Sequence, residues 1–429
     1  MKKITGLLLI SMALFSCLQA AGNSNITALT GGKIVLVSGS VIEKGTLIIE
    51  NDIIKDIGTE IAIPDEAEII DVTGLSLYPG MIDSYNRLGL SEIGAVSATT
   101  DIYEKGEYNP FIKTAIAINP HSVHIPITRV NGITTVMSAA AGGVISGQSV
   151  IYHLQGWTID EMLEQKNGGL IITFPRQPEK KGGNTEQKSS ASGNLVDKKI
   201  KELKDLLKKA ERYGEAKKAF EQGKREHKPV LDLTLEALLP AVTKQKNTYI
   251  VVDKKADILN AVQFIRNVSL KPVFVGCSQG WRAADSLAAY NIPVILAPVL
   301  RSPDDTDPYD GIYANAGILH KAGVKIAFST FSSSDCRNLP YQAGTAAAFG
   351  LDRTEALKAV TLNSAEILGI DDRFGSLEKG KVANIIVTTG DPLEMKTRIK
   401  HVFIRGKKIS LKTKHTELYE QFKKRYEEH

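Results

Sequence analysis

The feature of this sequence that most constrains its fold is a pattern found near both ends of the chain. Residues 34–71 form short runs of alternating apolar and polar side chains separated by turn residues, which is typical of a small antiparallel β unit. The pattern returns after Gly375, in residues 385–387 and 402–404. Each segment alone has too few strands to be stable. We therefore predict that the two ends pair in one small β-sandwich.

The body of the chain between these segments alternates strand-like apolar runs with helical stretches. This alternation predicts β/α units around a parallel sheet, and therefore an α/β protein. One helix start is clear, because Asp352 followed by Glu355 is a capping box, with apolar residues at helical spacing behind it. A chain of 429 residues is long enough for two or three domains, or for one barrel with an added domain. The predicted strands cover residues 133–136, 169–173, 249–252, 272–275, 293–296 and 325–328.

A charged insert occupies residues 176–228. It contains 16 Lys and Arg against 9 Asp and Glu, so its surplus of 7 leaves the rest of the chain at 5 − 7 = −2. This distribution argues against a nucleic-acid partner for the protein as a whole. Residues 177–193 are rich in Gly, Ser, Gln and Lys, which predicts a mobile loop. The second part predicts a solvated helix that lies on the body through a stripe formed by Leu195, Val196, Ile200, Leu203, Leu206, Leu207 and Ala210.

The first residues predict export from a bacterial cytoplasm. Residues 1–21 contain two lysines, an apolar run and a small-residue cleavage region, the arrangement of a signal peptide. Cys17 ends a run that resembles a lipoprotein box, so the mature protein is either a lipid-anchored, outer-membrane lipoprotein or a soluble periplasmic protein cleaved near Ala20 or Ala21. Cys277 and Cys336 remain; an apolar filling role is favoured over a disulfide, because spacing alone supplies no pairing geometry.

Residues 77–89 read Leu-Tyr-Pro-Gly-Met-Ile-Asp-Ser-Tyr-Asn-Arg-Leu-Gly. This resembles the first barrel strand of the amidohydrolase superfamily, whose pattern is Pro-Gly-Leu-Ile-Asp-Ala-His-x-His-Leu-Gly, and the imidazolonepropionase-like and prolidase-like members are the most similar. The resemblance implies a distorted eight-stranded β/α (TIM) barrel over residues 77–375, and a β-sandwich built from residues 30–76 and 376–410. Further stretches that resemble the family are residues 132–136, 359–365, 375–381 and 390–393.

The resemblance also implies a metal centre at the carboxyl end of the barrel, where one or two divalent ions activate water. Here the ligand positions hold other residues. The two histidines of the first strand fall at Tyr85 and Arg87, later histidines at Val251 and Gly276, and the final aspartate at Phe331. A guanidinium only donates hydrogen bonds and stays charged, so Arg87 would repel a metal. We predict no cofactor; the alternative is one divalent metal such as zinc at a rebuilt site.

Candidates for a rebuilt site are few. His121 and His124, with Asp83, Glu92 or Asp101, have a spacing that only weakly resembles a metal site. Asp335 follows the lost aspartate position by four residues and would need its loop to fold back. Cys277 and the serines of residues 329–334 lack the partnered base that a nucleophile needs. Ordinary hydrogen-bonded or packed roles are therefore favoured for all of these residues.

The predicted mouth residues are Asp83, Arg87, Asp253 and Asp335. Alternation along a strand points Tyr85 and Arg87 to the same side, toward the barrel interior. A buried guanidinium needs an anionic partner, so we predict that Arg87 pairs with an acidic side chain. Asp253 is the first candidate, because it also follows a predicted strand.

These observations favour an exported, non-catalytic binding or partner subunit with an amidohydrolase fold. Its expected partner is an active amidohydrolase relative or a second copy of the chain, with no nucleic acid and with membrane contact only through a lipid on Cys17. Two alternatives stay open. One is a hydrolase of C–N bonds, acting on an amide, cyclic amide or dipeptide through a rebuilt site. The other is a periplasmic ligand-binding protein that uses the vacant barrel mouth.

Overall fold

The computed structural model describes residues 25–176, 186–304 and 307–427. The predicted signal peptide and Cys17 lie outside these residues. Within them, no helix is both long enough and apolar enough to cross a membrane. The chain folds into two sheets of eight strands each, one built from both ends of the chain and one forming a barrel.

The first sheet combines strands from both chain ends. Its main path runs β16-β15-β14-β5-β1-β2-β3, and β4 pairs separately with β1. Its core is one apolar cluster that receives side chains from strands as far apart as β3 and β15, so the sheet curves around its own interior. The strands are β1 (Ile26–Val35), β2 (Val41–Glu50), β3 (Ile53–Gly58), β4 (Glu68–Asp71), β5 (Ser76–Pro79), β14 (Ile385–Thr388), β15 (Ile399–Ile404) and β16 (Lys407–Lys408).

The two chain ends meet where β5 and β14 pair antiparallel, with Leu77 opposite Val387. The Ile54 N–H also donates to the carbonyl of Lys381 at 2.8 Å. The prediction that the two ends pair in one β unit is therefore confirmed, and the unit is a single eight-stranded sheet where a sandwich was expected. The expectation of a wholly antiparallel unit is wrong, since β4 and β5 both run parallel to β1. These two strands reach β1 through longer connections, which a parallel pairing requires.

The second sheet is a nearly closed barrel in which strands β6 to β13 are neighbours in chain order. Hydrogen bonds from Phe331 N to Tyr85 O and from Arg87 N to Ser332 O, both 3.0 Å, join its first and last edges. The predicted barrel is confirmed. Its strands are β6 (Met81–Asn86), β7 (Ile133–Ser138), β8 (Ile145–His153), β9 (Leu163–Thr173), β10 (Thr248–Val252), β11 (Pro272–Gly276), β12 (Val294–Leu296) and β13 (Ile326–Phe328).

Strand β8 departs from the predicted parallel sheet. It runs antiparallel to both β7 and β9, whereas the other neighbouring strands of the barrel are parallel. Only residues 139–144 connect β7 to β8, which is too short for the crossover that a parallel neighbour needs. The short connection is therefore followed directly by the antiparallel strand that begins at Ile145.

The helices surround the barrel, apart from the last one. Asp352 caps its helix as predicted, because its carboxylate accepts from the backbone N–H of Thr354 and Glu355. The helix ends at Lys358, and a second helix begins at Leu362. The helices are α1 (His124–Arg129), α2 (Ile159–Met162), α3 (Glu186–Glu221), α4 (Leu233–Val242), α5 (Lys255–Ile265), α6 (Ala284–Ala289), α7 (Gly311–Lys321), α8 (Leu339–Ala348), α9 (Arg353–Lys358), α10 (Leu362–Leu368) and α11 (Lys414–Glu427).

Helix α3 lies entirely within the insert and makes up most of it. Leu203, Leu207 and Ala210 are fully buried against the barrel core, in agreement with the predicted stripe, while Leu195 stays exposed. The loop prediction for residues 177–193 is wrong for 186–193, which are helical, and residues 177–185 lie outside the described part. Cys277 and Cys336 are free and buried, so the apolar filling role is confirmed.

Candidate functional site at the barrel mouth

The two residues at the histidine positions of β6 interact with each other. Tyr85 is 1% exposed inside the barrel, and the Arg87 guanidinium lies 4.9 Å from the centre of its ring. One Arg87 nitrogen donates to the Tyr85 hydroxyl at 3.2 Å, and another donates to the carbonyl of Ala139. The ring of Phe331 lies 4.7 Å from the Tyr85 ring on the other side. Three positions that the family resemblance aligns with metal ligands are therefore occupied by stacked and hydrogen-bonded side chains.

The predicted ion pair between Arg87 and Asp253 is wrong. Arg87 is only partly buried, and a carbonyl, a hydroxyl and an aromatic face satisfy its charge without a carboxylate. The Asp253 carboxylate instead accepts from the backbone N–H of Ser278 at 2.9 Å, and its own carbonyl accepts from Gln279 N at 3.1 Å. Asp253 thus holds the loop that follows β11, because it accepts hydrogen bonds from two backbone N–H groups of that loop.

The other two positions that the resemblance aligns with metal ligands, Val251 and Gly276, border a cavity at the carboxyl ends of β9 to β12. Val251, Gly276 and Phe331 line it, and its volume is about 350 Å³. Gly276 has φ +106°, and a Cβ there would lie 2.7 Å from the carbonyl oxygen of Val252. A histidine at this position would be strained as well as crowded.

Asp83 is buried below this mouth. Its carboxylate accepts from both the backbone N–H and the hydroxyl of Thr330, which ties β6 to the chain after β13. Burial raises the pKa of Asp83 to about 6, against the lowering effect of hydrogen bonds from Thr330 and Asn86. Asp83 does not line the mouth cavity. Its hydrogen bonds with Thr330 join the first strand of the barrel to the chain after the last strand, and its carboxyl group does not face a ligand in the cavity.

The residues at these positions do not fit a metal ion. Tyr85 already accepts from Arg87, Val251 and Phe331 have no donor atom in their side chains, and Arg87 brings a permanent positive charge. Among the described residues, no group of three or more His, Cys, Asp or Glu side chains could hold a metal.

The remaining predicted candidates are used in local hydrogen bonds. Glu92 accepts from Asn119 and Ser122, and the His124 ring contacts the Glu92 carbonyl at 3.0 Å, so these residues secure one loop to another. His121 lies against Trp157 with 4.8 Å between the ring centres. The remaining acids, Asp101 and Asp335, are exposed, and Asp335 binds Ser332 within its own turn. None of them joins the others around a common point.

Sequence reasoning missed a buried polar network at the opposite end of the barrel. His153, fully buried on β8, contacts the Thr135 hydroxyl at 3.1 Å and the Glu164 carboxylate at 3.2 Å. Glu164 also pairs with Arg373 at 2.5 Å. Asn384, next to β14, donates to Thr135 at 3.2 Å. The sequence signal that could have revealed this network is the single histidine inside the apolar run 150–154.

Burial lowers the pKa of His153, although the adjacent Glu164 opposes this effect. Burial alone would raise the pKa of Glu164, but its hydrogen bond to His153 and the nearby Arg373 lower it overall. The network therefore favours a neutral imidazole beside an ionised carboxylate. It lies at the interface between the barrel and the first sheet, where it stabilises their contact.

The mouth cavity can hold a small molecule. Its wall is apolar, with Phe174, Val275 and Ala297 among the lining residues, and a volume near 350 Å³ lies within the usual range for small-ligand pockets. Charged residues of both signs also line it: Arg176, Arg301, Asp253 and Asp257. Such a cavity suits a compact ligand with an apolar body and charged groups.

An eight-stranded barrel joined to a sheet made from both chain ends defines a class of β/α-barrel proteins with a composite accessory sheet. The model of the Amidohydrolase family matches residues 308–409. The imidazolonepropionase of Flavobacterium johnsoniae is 23% identical over 399 residues, which cover 81% of this chain and 85% of that protein. The crystal structure of an amidohydrolase from Thermotoga maritima MSB8 is 25% identical, with a TM-score of 0.77, over 90% of this chain and 99% of the other.

A prolidase complexed with N-methylphosphonate-L-proline shares the fold, with a TM-score of 0.54 and 16% identity over 90% of this chain and 100% of its own. Together these similarities support a place for the chain in the amidohydrolase superfamily, near its imidazolonepropionase-like and prolidase-like members. The family resemblance predicted from residues 77–89 is confirmed.

Proposed function

We propose that this protein is an exported, non-catalytic member of the superfamily that binds a small ligand at the barrel mouth and needs no metal. The observation that supports this most strongly is the arrangement of Tyr85, Arg87 and Phe331. Their stacking and hydrogen bonds occupy the positions where the family pattern has metal ligands. A metal ion would have to displace the Arg87 side chain from Tyr85, and it would still lie close to the positive charge of Arg87.

The chemistry of the cavity supports a binding role. The apolar wall removes water from a ligand's body, while Arg301 and Asp253 offer charges of opposite sign at the border. The ligand class that fits is a small zwitterion or carboxylate with an apolar part, such as an amino-acid derivative. We further propose an active amidohydrolase relative, or a second copy of this chain, as the partner, and the periplasm or a lipid on Cys17 as the location.

Metal analysis tests the first part of the proposal. The purified, dialysed protein is expected to contain no stoichiometric zinc, manganese or other divalent metal, and to hydrolyse neither simple amides nor dipeptides. Added zinc or manganese should not induce hydrolysis. One metal per chain that survives dialysis, together with turnover, would instead establish the alternative of a C–N hydrolase with a rebuilt site. The hydrolase names of the relatives are the reason to include this screen.

Ligand binding can be measured by thermal shift with a panel of amino acids, dipeptides and small aromatic carboxylates. Arg301→Gln should weaken the stabilisation by anionic ligands about tenfold in apparent affinity, because it removes a charged contact at the cavity. Arg266→Gln is the matched control, since Arg266 is exposed and stacks on Tyr290 outside the cavity. Equal effects of both substitutions would contradict binding at the mouth.

A further inference from the structure

The last helix, α11, presents an apolar face to solvent. None of its residues is buried. Leu418, Phe422 and Tyr426 are spaced by four residues and therefore share one face, with Tyr419 beside them. Their exposed fractions are 38%, 52% and 83%, and that of Tyr419 is 63%. Four large apolar side chains on one exposed helix face form an unusual surface for a soluble chain.

The helix begins at a well-defined cap. Thr413 is buried, and its side chain accepts from Thr416 N at 3.2 Å while the Thr416 hydroxyl accepts from Thr413 N at 2.8 Å. Leu411, two residues earlier, packs against the barrel core. One end of α11 is thus attached to the body. A 14-residue helix that buries none of its residues is marginal in water, so a surface that covers the apolar face would stabilise it.

The helix and the segment that leads into it are strongly basic in sequence. Residues 396–427 contain 11 Lys and Arg against 3 Asp and Glu, a surplus of 11 − 3 = 8. With the surplus of 7 in the insert, the rest of the chain stands at 5 − 8 − 7 = −10. Within the described residues, only Lys423 of α11 forms an ion pair, with Glu427. Lys414, Lys424 and Arg425 on the helix keep their charges exposed.

From this combination we infer that α11 and the basic residues around it form a docking surface for an anionic lipid bilayer. Amphipathic helices with aromatic residues on one face and Lys or Arg on the other lie in the bilayer interface, where tyrosine places its ring among the acyl chains and its hydroxyl in water. Lysine and arginine near the surface are attracted to anionic headgroups. The apolar face and the charge surplus therefore act on the same target.

An anionic bilayer fits this surface better than a nucleic acid or a second copy of the chain does. A nucleic acid would neutralise the cations but leave Phe422 and Tyr426 in water. A second copy of α11 would cover the apolar face but bring Lys414, Lys424 and Arg425 close to the same cations of its partner. An anionic bilayer satisfies both the apolar and the charged side chains.

The test is sedimentation of the full chain with vesicles of phosphatidylcholine alone and with vesicles that also contain phosphatidylglycerol. The protein should bind the phosphatidylglycerol vesicles more strongly, and added salt should weaken this binding. A lipid on Cys17 would attach the protein to both vesicles, so the difference between them reports the basic surface. Equal binding to both, or binding to neither, would overturn the inference.

Substitutions locate the surface. Lys424→Gln combined with Arg425→Gln should lower the affinity for phosphatidylglycerol vesicles roughly 30-fold, and Phe422→Ser combined with Tyr426→Ser should lower it by at least about tenfold. Lys208→Gln combined with Lys218→Gln removes the same charge from the other basic segment and should leave binding within about threefold. A loss of equal size in this control, or displacement of the vesicles by short duplex DNA at matched charge, would contradict the assignment to α11.

Discussion

The two ends of the barrel differ in the partners that their buried polar side chains contact. At the carboxyl end, Tyr85 and Phe331 stack, and Arg87 is satisfied by a hydroxyl and a carbonyl. At the amino end, His153 and Glu164 form a buried network that reaches Asn384 of the first sheet. At the carboxyl end, where β/α barrels normally carry their active sites, the residues are Tyr85, Arg87 and Phe331. The end that normally supplies stability has a buried histidine with a carboxylate partner.

This comparison shows that a histidine and a carboxylate in contact do not by themselves indicate catalysis. His153 and Glu164 are enclosed by Thr135, Phe374 and Arg373 at the interface between barrel and sheet. Their hydrogen bonds are made to neighbours in the fold, and they lie away from the cavity that a ligand can enter. Position relative to the barrel mouth therefore separates a structural network from a functional one.

The largest expected effect comes from removing the sheet that covers the amino end. A chain that stops at Gly375 lacks the buried side chains of Ile385, Val387 and Phe403, each contributing roughly 1.5 to 3 kcal/mol. The sum of about 4.5 to 9 kcal/mol is comparable with the whole free energy of unfolding of a typical domain. We expect no cooperative thermal transition by circular dichroism. A chain that stops at Thr413 is the control, since it loses only the exposed α11, and its transition should stay within a few degrees. Full stability after truncation at Gly375 would refute the composite sheet.

The second prediction concerns the buried network itself. His153→Ala leaves a cavity and removes a partner from the Glu164 carboxylate, so the free energy of unfolding should fall by about 3 kcal/mol in urea denaturation at pH 7. His415→Ala, at an exposed helical position, should change it by less than about 0.5 kcal/mol. If both substitutions had equally small effects, the network would not stabilise the contact between barrel and sheet.

The third prediction uses pH to examine the acid beneath the mouth. Because burial raises the pKa of Asp83 from 3.8 to about 6, the folded state binds this proton more tightly than the unfolded state does. The contribution of Asp83 is therefore most favourable below pH 4 and is lost as the pH rises through about 6. The corresponding change is about 3 kcal/mol. Asp83→Asn should gain stability relative to the wild type by about that amount between pH 4 and pH 7, measured by urea denaturation. A difference that does not vary with pH would contradict the raised pKa.

The smallest effect is expected at the mouth. Arg87→Met removes a partly buried hydrogen-bonded group, and Asp253→Asn weakens the loop after β11, so each should cost about 1 kcal/mol. Because Arg87 and Asp253 bind different partners, the double variant should equal the sum within about 0.5 kcal/mol. A coupling energy above about 1 kcal/mol in this double-mutant cycle would instead indicate that Arg87 and Asp253 form the ion pair predicted from the sequence.

Much of the fold could be predicted because it depends on local pattern. The runs at residues 133–136, 249–252 and 272–275 are strands, and Asp352 is a helix cap. Strand β8 could not be predicted in this way. Its glycine-rich beginning is typical of a loop, and only the short connection from β7 and the pairing on both sides make it an antiparallel strand.

The sequence predicted which residues occupy the candidate site better than it predicted which groups those residues contact. The motif around Asp83 locates Tyr85 and Arg87 on the first barrel strand, and Tyr85 does point into the barrel. The partner of Arg87 could not be predicted, because a carbonyl such as that of Ala139 is present in every residue and has no signature in the sequence. The network of His153 was missed for the same reason, since Glu164 and Arg373 approach it only through β9 and the chain after α10.

The sequence alone determined the family resemblance and the composite organisation of the two chain ends, and it predicted that the family's metal-ligand positions hold residues of other types. These depend on residue identity at positions close together in the chain, where strand and helix periodicity limit the alternatives. Only the tertiary structure decided that Arg87 is held by Tyr85 and Ala139, that Asp83 closes the barrel through Thr330, and that the buried histidine lies at the amino end. The physical reason is that a buried polar group takes the nearest satisfactory partner in space, and barrel closure brings together residues that are hundreds of positions apart.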